Sequence, residues 1–365
     1  MSDNQFQYEY AFPAIKGVQA GVEYFVTMCP LKLIPKIFLF NEEEMLPEFR
    51  AQRLLNKQRI PEMAEYIVDN KRSYVFSAIT ASIDGQPHFE ALDGAGAGEN
   101  LGTLHISMAS QFIINDGQHR RAAIEHALKS DPELGNETIA VVFFSDPGLK
   151  KCQQMFADLN RYAVRPSRSI GVLYDHRDEI AEVSRQLVTK LPFFRELVEM
   201  EKTTLAPRSK RLFTFSSIYG ANKVLLLDLE LELTDASKLA VEFWQNISDQ
   251  ISEWDLVRKR KITAGEVRED FIHTHGVILQ AMGRAGNHLI KARPKEWQKD
   301  LCKIKGINWL RSDTSSWEGR ALVNGRLSKS SRSIILSANK IKQFLNLPLT
   351  AEEARLEKEL ELLDG

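Results

Sequence analysis

Cysteine is scarce in this chain: Cys29, Cys152 and Cys302 are spread over 365 residues. An odd number at such wide spacing supports neither a disulfide framework nor a Cys-x-x-Cys zinc site, so all three read as free structural thiols. Cys29 and Cys152 are the two candidate redox thiols. Cys152 follows Lys150 and Lys151, which would lower its pKa, and Cys29 stands beside the strand-breaking Pro30, where it would reach the surface. No apolar run approaches the roughly 20 residues that cross a bilayer. The start Met1-Ser2-Asp3-Asn4-Gln5 has neither the basic residues nor the apolar stretch of a signal peptide, so a cytoplasmic protein with no membrane attachment is expected. A Walker-type Gly-Lys-Ser/Thr loop is missing. The glycine-rich run 93–98 lacks the strand before it and the helix after it that a phosphate loop needs, and reads as a hairpin tip. His273 and His275 flank Thr274 without partner carboxylates at metal-ligand spacing, so no metal site is assigned. Helix-turn-helix and zinc-finger spacings, internal repeats and low-complexity runs are also lacking.

What is present is charge, unevenly distributed. The net charge of −1 hides a block at 256–343 with 19 Lys and Arg against 7 Asp and Glu, a balance of +12. Residues 224–255 carry −7 and the tail 344–365 carries −4. Such separation gives one surface a field that a polyanion can feel although the molecule is nearly neutral. Within the block, Arg258-Lys259-Arg260-Lys261 and the series Arg326, Lys329, Arg332 are the candidate DNA contacts, with Ser328, Ser330 and Ser331 as further donors to phosphate oxygens. The alternative is a solvated basic face.

Periodicity divides the chain in two. Strands are expected at 24–28, 74–83, 101–107, 111–114 and 139–144. Helices are expected at 47–70, as two pieces meeting near Arg59 with Pro61 in a first turn, and at 118–129. These describe an α/β or α+β mixed-sheet domain over 1–145. Residues 146–365 read as mainly helical, with helices at 149–159, from about Ser169, and at 176–200, 216–233, 236–254 and 264–283. Trp244 and Trp254 are expected in the core. Thr350 and Glu353 form a capping box for a last helix with Leu356, Leu360 and Leu363 on one face; its charged remainder is a solvated surface or an oligomer seam.

The most informative stretch is Gln111 to Arg121. A short apolar strand, Phe112 to Ile114, stops at Asn115-Asp116-Gly117 and opens into a helix carrying Gln118, His119, Arg120 and Arg121. One reading makes Asp116 an N-cap and the arginines a solvated face. The other makes the turn an anion site, because free N–H groups and the positive dipole end favour a phosphate there. So many cations on a first helical turn oppose the macrodipole, which favours the second reading.

Asp116-Gly117-Gln118-His119-Arg120 resembles the motif that names the DGQHR family. Met155-Phe156-Ala157-Asp158-Leu159-Asn160-Arg161, followed by Pro166-Ser167-Arg168-Ser169, is similar to that family's second signature. Over its length the chain looks like the DndB family of DNA phosphorothioation gene clusters. The resemblance implies a ParB- and sulfiredoxin-like strand-turn-helix that contacts nucleotide phosphates. Asp116, Gly117, Gln118, His119 and Arg120 would line the pocket, with Arg121 and Arg168 nearby, and Asn160 and Arg161 would close it. Gln118 stands where a sulfiredoxin has Cys, and Gln118-His119 where a ParB site has Glu, so anion binding is what the resemblance leaves. It implies a repressor of the phosphorothioation operon that binds double-stranded DNA; contacts to other phosphorothioation proteins and a homo-oligomer are further expectations. The competing reading is an enzyme, a nucleotide-dependent phosphohydrolase or DNA nickase. In it His119 is the acid, Asp116 or Asp158 holds magnesium, and ATP or another nucleotide is the cofactor. A scaffold for the modification proteins is the third.

Overall fold

The computed structural model describes residues 8–38, 57–145, 154–155, 157–159 and 166–364. The chain divides into two units, Met1–Val164 and Arg165–Gly365.

Alternation of apolar residues builds the sheet of the first unit. Its strands are β1 (Glu9–Gln19), β2 (Val22–Pro30), β3 (Ile79–Asp84), β4 (His88–Ala91), β5 (Leu101–Ser107), β6 (Gln111–Asp116) and β7 (Thr138–Ser145), in the order β4-β5-β1-β2-β7-β3-β6. Every pairing is antiparallel except β3 with β7. Inward-facing Phe12, Phe25, Ile79, Ile83, Leu104, Phe112 and Phe143 form one buried face. Helices α1 (Ile34–Ile37), α2 (Ile60–Asp69) and α3 (Gln118–Ser130) contribute Ile34, Ile67 and Ile124 to the same core.

Two expectations shift here. The strand expected from 74 begins only at Ile79, because side chains take the backbone groups before it: Val75 N donates to the Tyr66 hydroxyl (3.0 Å), and Ala78 O accepts from Arg120 Nη2 (3.1 Å). β4 went unpredicted, since it is only four residues long and a single side chain, Phe89, packs against the core, too short a run for alternation to show. The 93–98 run is the tip of the β4–β5 hairpin, as its composition suggests.

The second unit is helical, but its long helices are broken. The span 176–200 resolves into α5 (Glu179–Lys190) and α6 (Pro192–Leu197), after α4 (Arg168–Tyr174), with Pro192 starting the new helix. Next come β8 (Val198–Glu199), β9 (Phe213–Thr214) and α7 (Phe215–Leu225), which stops before Asp228 and Glu230, both in left-handed conformation. They are followed by α8 (Leu233–Gln250), α9 (Ser252–Arg258), α10 (Ala264–Asp270) and α11 (Gly276–Ala292). The helix expected over 264–283 is thus two helices: Phe271 forms an isolated bridge with Leu310, and Ile272 N donates to Trp309 O. The chain continues through α12 (Trp297–Leu301), α13 (Thr314–Trp317), β10 (Leu322–Val323), β11 (Arg326–Leu327), α14 (Ser331–Phe344) and α15 (Ala351–Asp364).

Trp244 and Trp254 are core residues, as expected, and their indole N–H groups donate to Asn222 Oδ1 (2.8 Å) and His273 Nδ1 (3.0 Å). The capping box is also present: Glu353 N donates to Thr350 Oγ1 and Thr350 N to Glu353 Oε2. The charged remainder of α15 is largely the solvated surface expected, with Glu352, Arg355, Lys358 and Glu361 exposed, but its inner side also carries acids. Glu353 is fully buried and Glu357 nearly so, facing Lys342 and Arg320, while Leu356 and Leu360 pack on Leu336.

Candidate functional site

The strand-turn-helix of the motif is formed as its residues dictate. β6 ends at Asp116, and Gly117 turns the chain at φ 110°, a left-handed conformation that side chains rarely adopt. It opens α3 without a side-chain cap, and the first turn of α3 contains no acid. A Cβ at this position would also lie 3.1 Å from both Arg120 Nη2 and Ile79 Cγ1. The turn is therefore a fixed feature in which backbone conformation and arginine placement depend on each other.

The two motif arginines face inward. Arg120 Nη2 donates to Asp116 Oδ2 (2.5 Å) and Ala78 O, and its Nη1 to Ser77 Oγ (2.6 Å), so the guanidinium ties the end of β6 to the segment before β3. Arg121 Nη1 pairs with Glu125 and its Nη2 donates to Pro35 O. Gln118 and His119 are half-buried. Asn115, fully buried, donates from Nδ2 to Ser82 Oγ (2.7 Å) and to Met155 Sδ (3.2 Å), which brings the second signature against the first. Asp158 is exposed and accepts from Gln154 Nε2. Asn160, Arg161 and Cys152 lie outside the described residues. Arg168 is the first residue of α4, in the second unit, behind the Ser167 cap.

Cys29 does not reach the surface. It is fully buried on β2, and burial pushes its thiol up to about 12, so the redox role suggested for it is corrected to that of a core residue. Pro30 closes the strand without exposing its neighbour because the strand edge there is covered by β7, where Cys29 pairs with Ile139.

Much of the basic block is neutralised internally. Lys342 and Arg284 meet Glu353, Arg320 meets Glu357, Arg332 meets Glu359, and Arg293 and Lys303 share Asp300. Arg258 and Lys259 both pair with Asp255. Of the seven expected contacts, Arg260, Lys261, Arg326 and Lys329 are exposed and hold no ion pair among the described residues. The serines are partly used: Ser330 caps α14 by accepting from Ser333 N, and Ser328 accepts from Ser333 Oγ.

The structure adds residues that the sequence reading missed. An open cleft of about 760 Å³ is lined by Arg258 and Arg260 from one side and by Arg208, Lys210 and Arg211 from the other. The signal was present, three cations within four residues directly after Pro207, but it lies outside the 256–343 block and was overlooked there.

A family model described as DndB, DNA-sulfur modification-associated, matches residues 12–348, nearly the whole chain. The chain belongs to the DndB family. Its association is therefore with DNA sulfur modification, and both signature segments and most of the helical unit fall within the matched span. No curated protein and no solved structure matches the chain. Among the described residues no helix is long and apolar enough to cross a membrane.

Proposed function

We propose that this DndB-family protein is a DNA-binding regulator that represses a DNA phosphorothioation operon by occupying its promoter. The observation that carries the reading is a set of exposed cations that hold no ion pair among the described residues, Arg260, Lys261, Arg326 and Lys329, within a basic block where Arg258, Lys259, Arg284, Arg293, Lys303, Arg320, Arg332 and Lys342 are paired with acids. DNA affinity comes chiefly from phosphate neutralisation, so charges that folding leaves unmatched are the ones available to it. Membership of a family associated with DNA sulfur modification makes DNA the fitting polyanion.

The DGQHR turn has a second part in this reading. Arg120 braces the turn, and the uncapped start of α3 offers backbone N–H groups beside Gln118 and His119 to one phosphate of nucleotide or DNA. Arg161 would complete that pocket. Repression is tested with a reporter under the operon promoter: expression falls when the protein is supplied and recovers when Arg260, Lys261, Arg326 and Lys329 are changed together to Gln. A reporter indifferent to the wild-type protein would refute it.

A further inference from the structure

We propose that the cleft between residues 207–211 and 257–265 holds the phosphate backbone of bound nucleic acid, with Arg208, Lys210 and Arg260 as its contacts and Arg268 as the residue that positions them. The proposal rests on the DNA-binding reading and names the surface that performs it.

Three independent features make this cleft a built site. The first is charge. Five cations line it with a single acid, Glu196, and only Arg258 among them is ion-paired among the described residues, with Asp255. Like charges brought together oppose folding unless an anion is to be met. Arg208, Lys210 and Arg260 are exposed and have no ion pair among the described residues.

The second is the fixing of the loop. Arg268, on α10, aims its guanidinium at the 206–211 segment: Nη2 donates to Ala206 O and Pro207 O (both 2.9 Å), and Nη1 donates to Ser209 O (3.1 Å) and Arg211 O. Four carbonyls on one planar fork hold the loop in a defined shape. Gly265 permits the approach, since a Cβ there would stand 2.8 Å from Pro207 O. Arg268 therefore touches no ligand in this scheme; it sets where Arg208 and Lys210 point.

The third is Arg260 itself. It follows the end of α9, with φ 57°, and the backbone closes around it: Arg260 N donates to Val257 O and Lys261 N to Leu256 O. This is the left-handed helix stop that glycine usually occupies, and a long side chain there is unfavourable. An arginine at such a position is explained by what its side chain does, and here it lines the cleft. The floor includes Leu197, Val257, Ile262 and Ala264, apolar surface that lowers the local dielectric and strengthens charge-assisted bonds to phosphate.

The test measures binding of the full chain to a fluorescent duplex across a salt series. Arg208→Gln, Lys210→Gln and Arg260→Gln combined should lower affinity at least about ten-fold and remove about 2 to 3 from the salt slope, at about 0.9 per lost phosphate contact. The control is Lys295→Gln, Lys299→Gln and Lys305→Gln, three exposed cations of the basic block outside the cleft, which should change the slope by less than one contact. Bound DNA should also shield the bonds after Arg208, Lys210 and Arg211 from trypsin, and Arg268→Lys should abolish that shielding. If the wild-type protein binds and the cleft triple variant keeps its slope, or both triples lose equally, the cleft proposal is overturned and the DNA-binding reading stands. If the wild-type protein does not bind, both are overturned.

Discussion

Replacing Glu353 with Gln tests how the acidic tail is used. Its carboxylate is fully buried and accepts from Lys342 Nζ at 2.8 and 2.6 Å, from Arg284 Nη2 at 3.1 Å and Nε at 3.2 Å, and from Thr350 N at 2.9 Å. Gln is nearly isosteric but offers one acceptor and two donors, so a donor must face Lys342 or Thr350. Lys342, also fully buried, is left with an uncompensated charge. Removing one partner of a buried pair costs about 3–5 kcal/mol. The weakened capping box adds up to about 1 kcal/mol, so about 4 kcal/mol is expected. All five tryptophans, Trp244, Trp254, Trp297, Trp309 and Trp317, lie in the second unit, so urea unfolding followed by their fluorescence isolates it. The double variant Lys342→Met, Glu353→Gln removes both charges and should recover more than half of the loss, because a buried pair replaced as a whole is nearly neutral. Burial alone would raise the Glu353 pKa, but the bonds from Lys342 and Thr350 and the charge of Arg284 outweigh it and hold the group at about 2. A depressed folded pKa gives stability that is present above the unfolded value of 4.5 and is lost as pH falls toward 2, worth about 3 kcal/mol, and Glu353→Gln should lack this acid phase. A loss below about 1 kcal/mol, or a double variant as unstable as the sum of its singles, would refute the reasoning.

Two further outcomes follow from buried groups. His273 is fully buried and burial pushes its pKa down to about 3, with the charge of His275 adding to the effect, while the unfolded chain protonates near 6.5. The unfolded state therefore binds more protons below pH 6.5, and stability should fall by up to about 1.4 kcal/mol per pH unit from there toward pH 3. In urea titrations His273→Gln should flatten that slope, and an unchanged slope would remove His273 as its source. Gly117→Ala imposes a side chain at φ 110° and crowds Arg120 and Ile79, so the first unit should lose about 1–3 kcal/mol in thermal unfolding. A melting curve identical to wild type would mean that the turn relaxes without cost.

The sheet was legible where apolar and polar residues alternate, as in β5, which runs over Leu101–Ser107 as the pattern predicts, whereas the short β4 was missed. The motif turn was equally legible, since Asp-Gly after an apolar run admits few conformations. The helices of the second unit were readable as helices but not in their breaks. Pro192 marks a stop that the expected 176–200 helix ran through, whereas Phe271 to His275 leaves the helix through pairing with distant Leu310 and Trp309, which periodicity cannot register. The charge block misled in a similar way. A count along the chain finds Lys342 and Arg320 but not the glutamates that meet them from α15. It also excludes Arg208 and Lys210, which the fold returns to Arg260.

The most direct test is electrophoretic retardation of promoter DNA from the phosphorothioation operon, at two salt concentrations, with and without ATP and magnesium. The account predicts retardation that weakens steeply with salt, at a slope of roughly 0.9 per phosphate contacted, and DNA recovered intact under every condition. Absence of retardation, or magnesium-dependent nicking that disappears with His119→Ala, would contradict it.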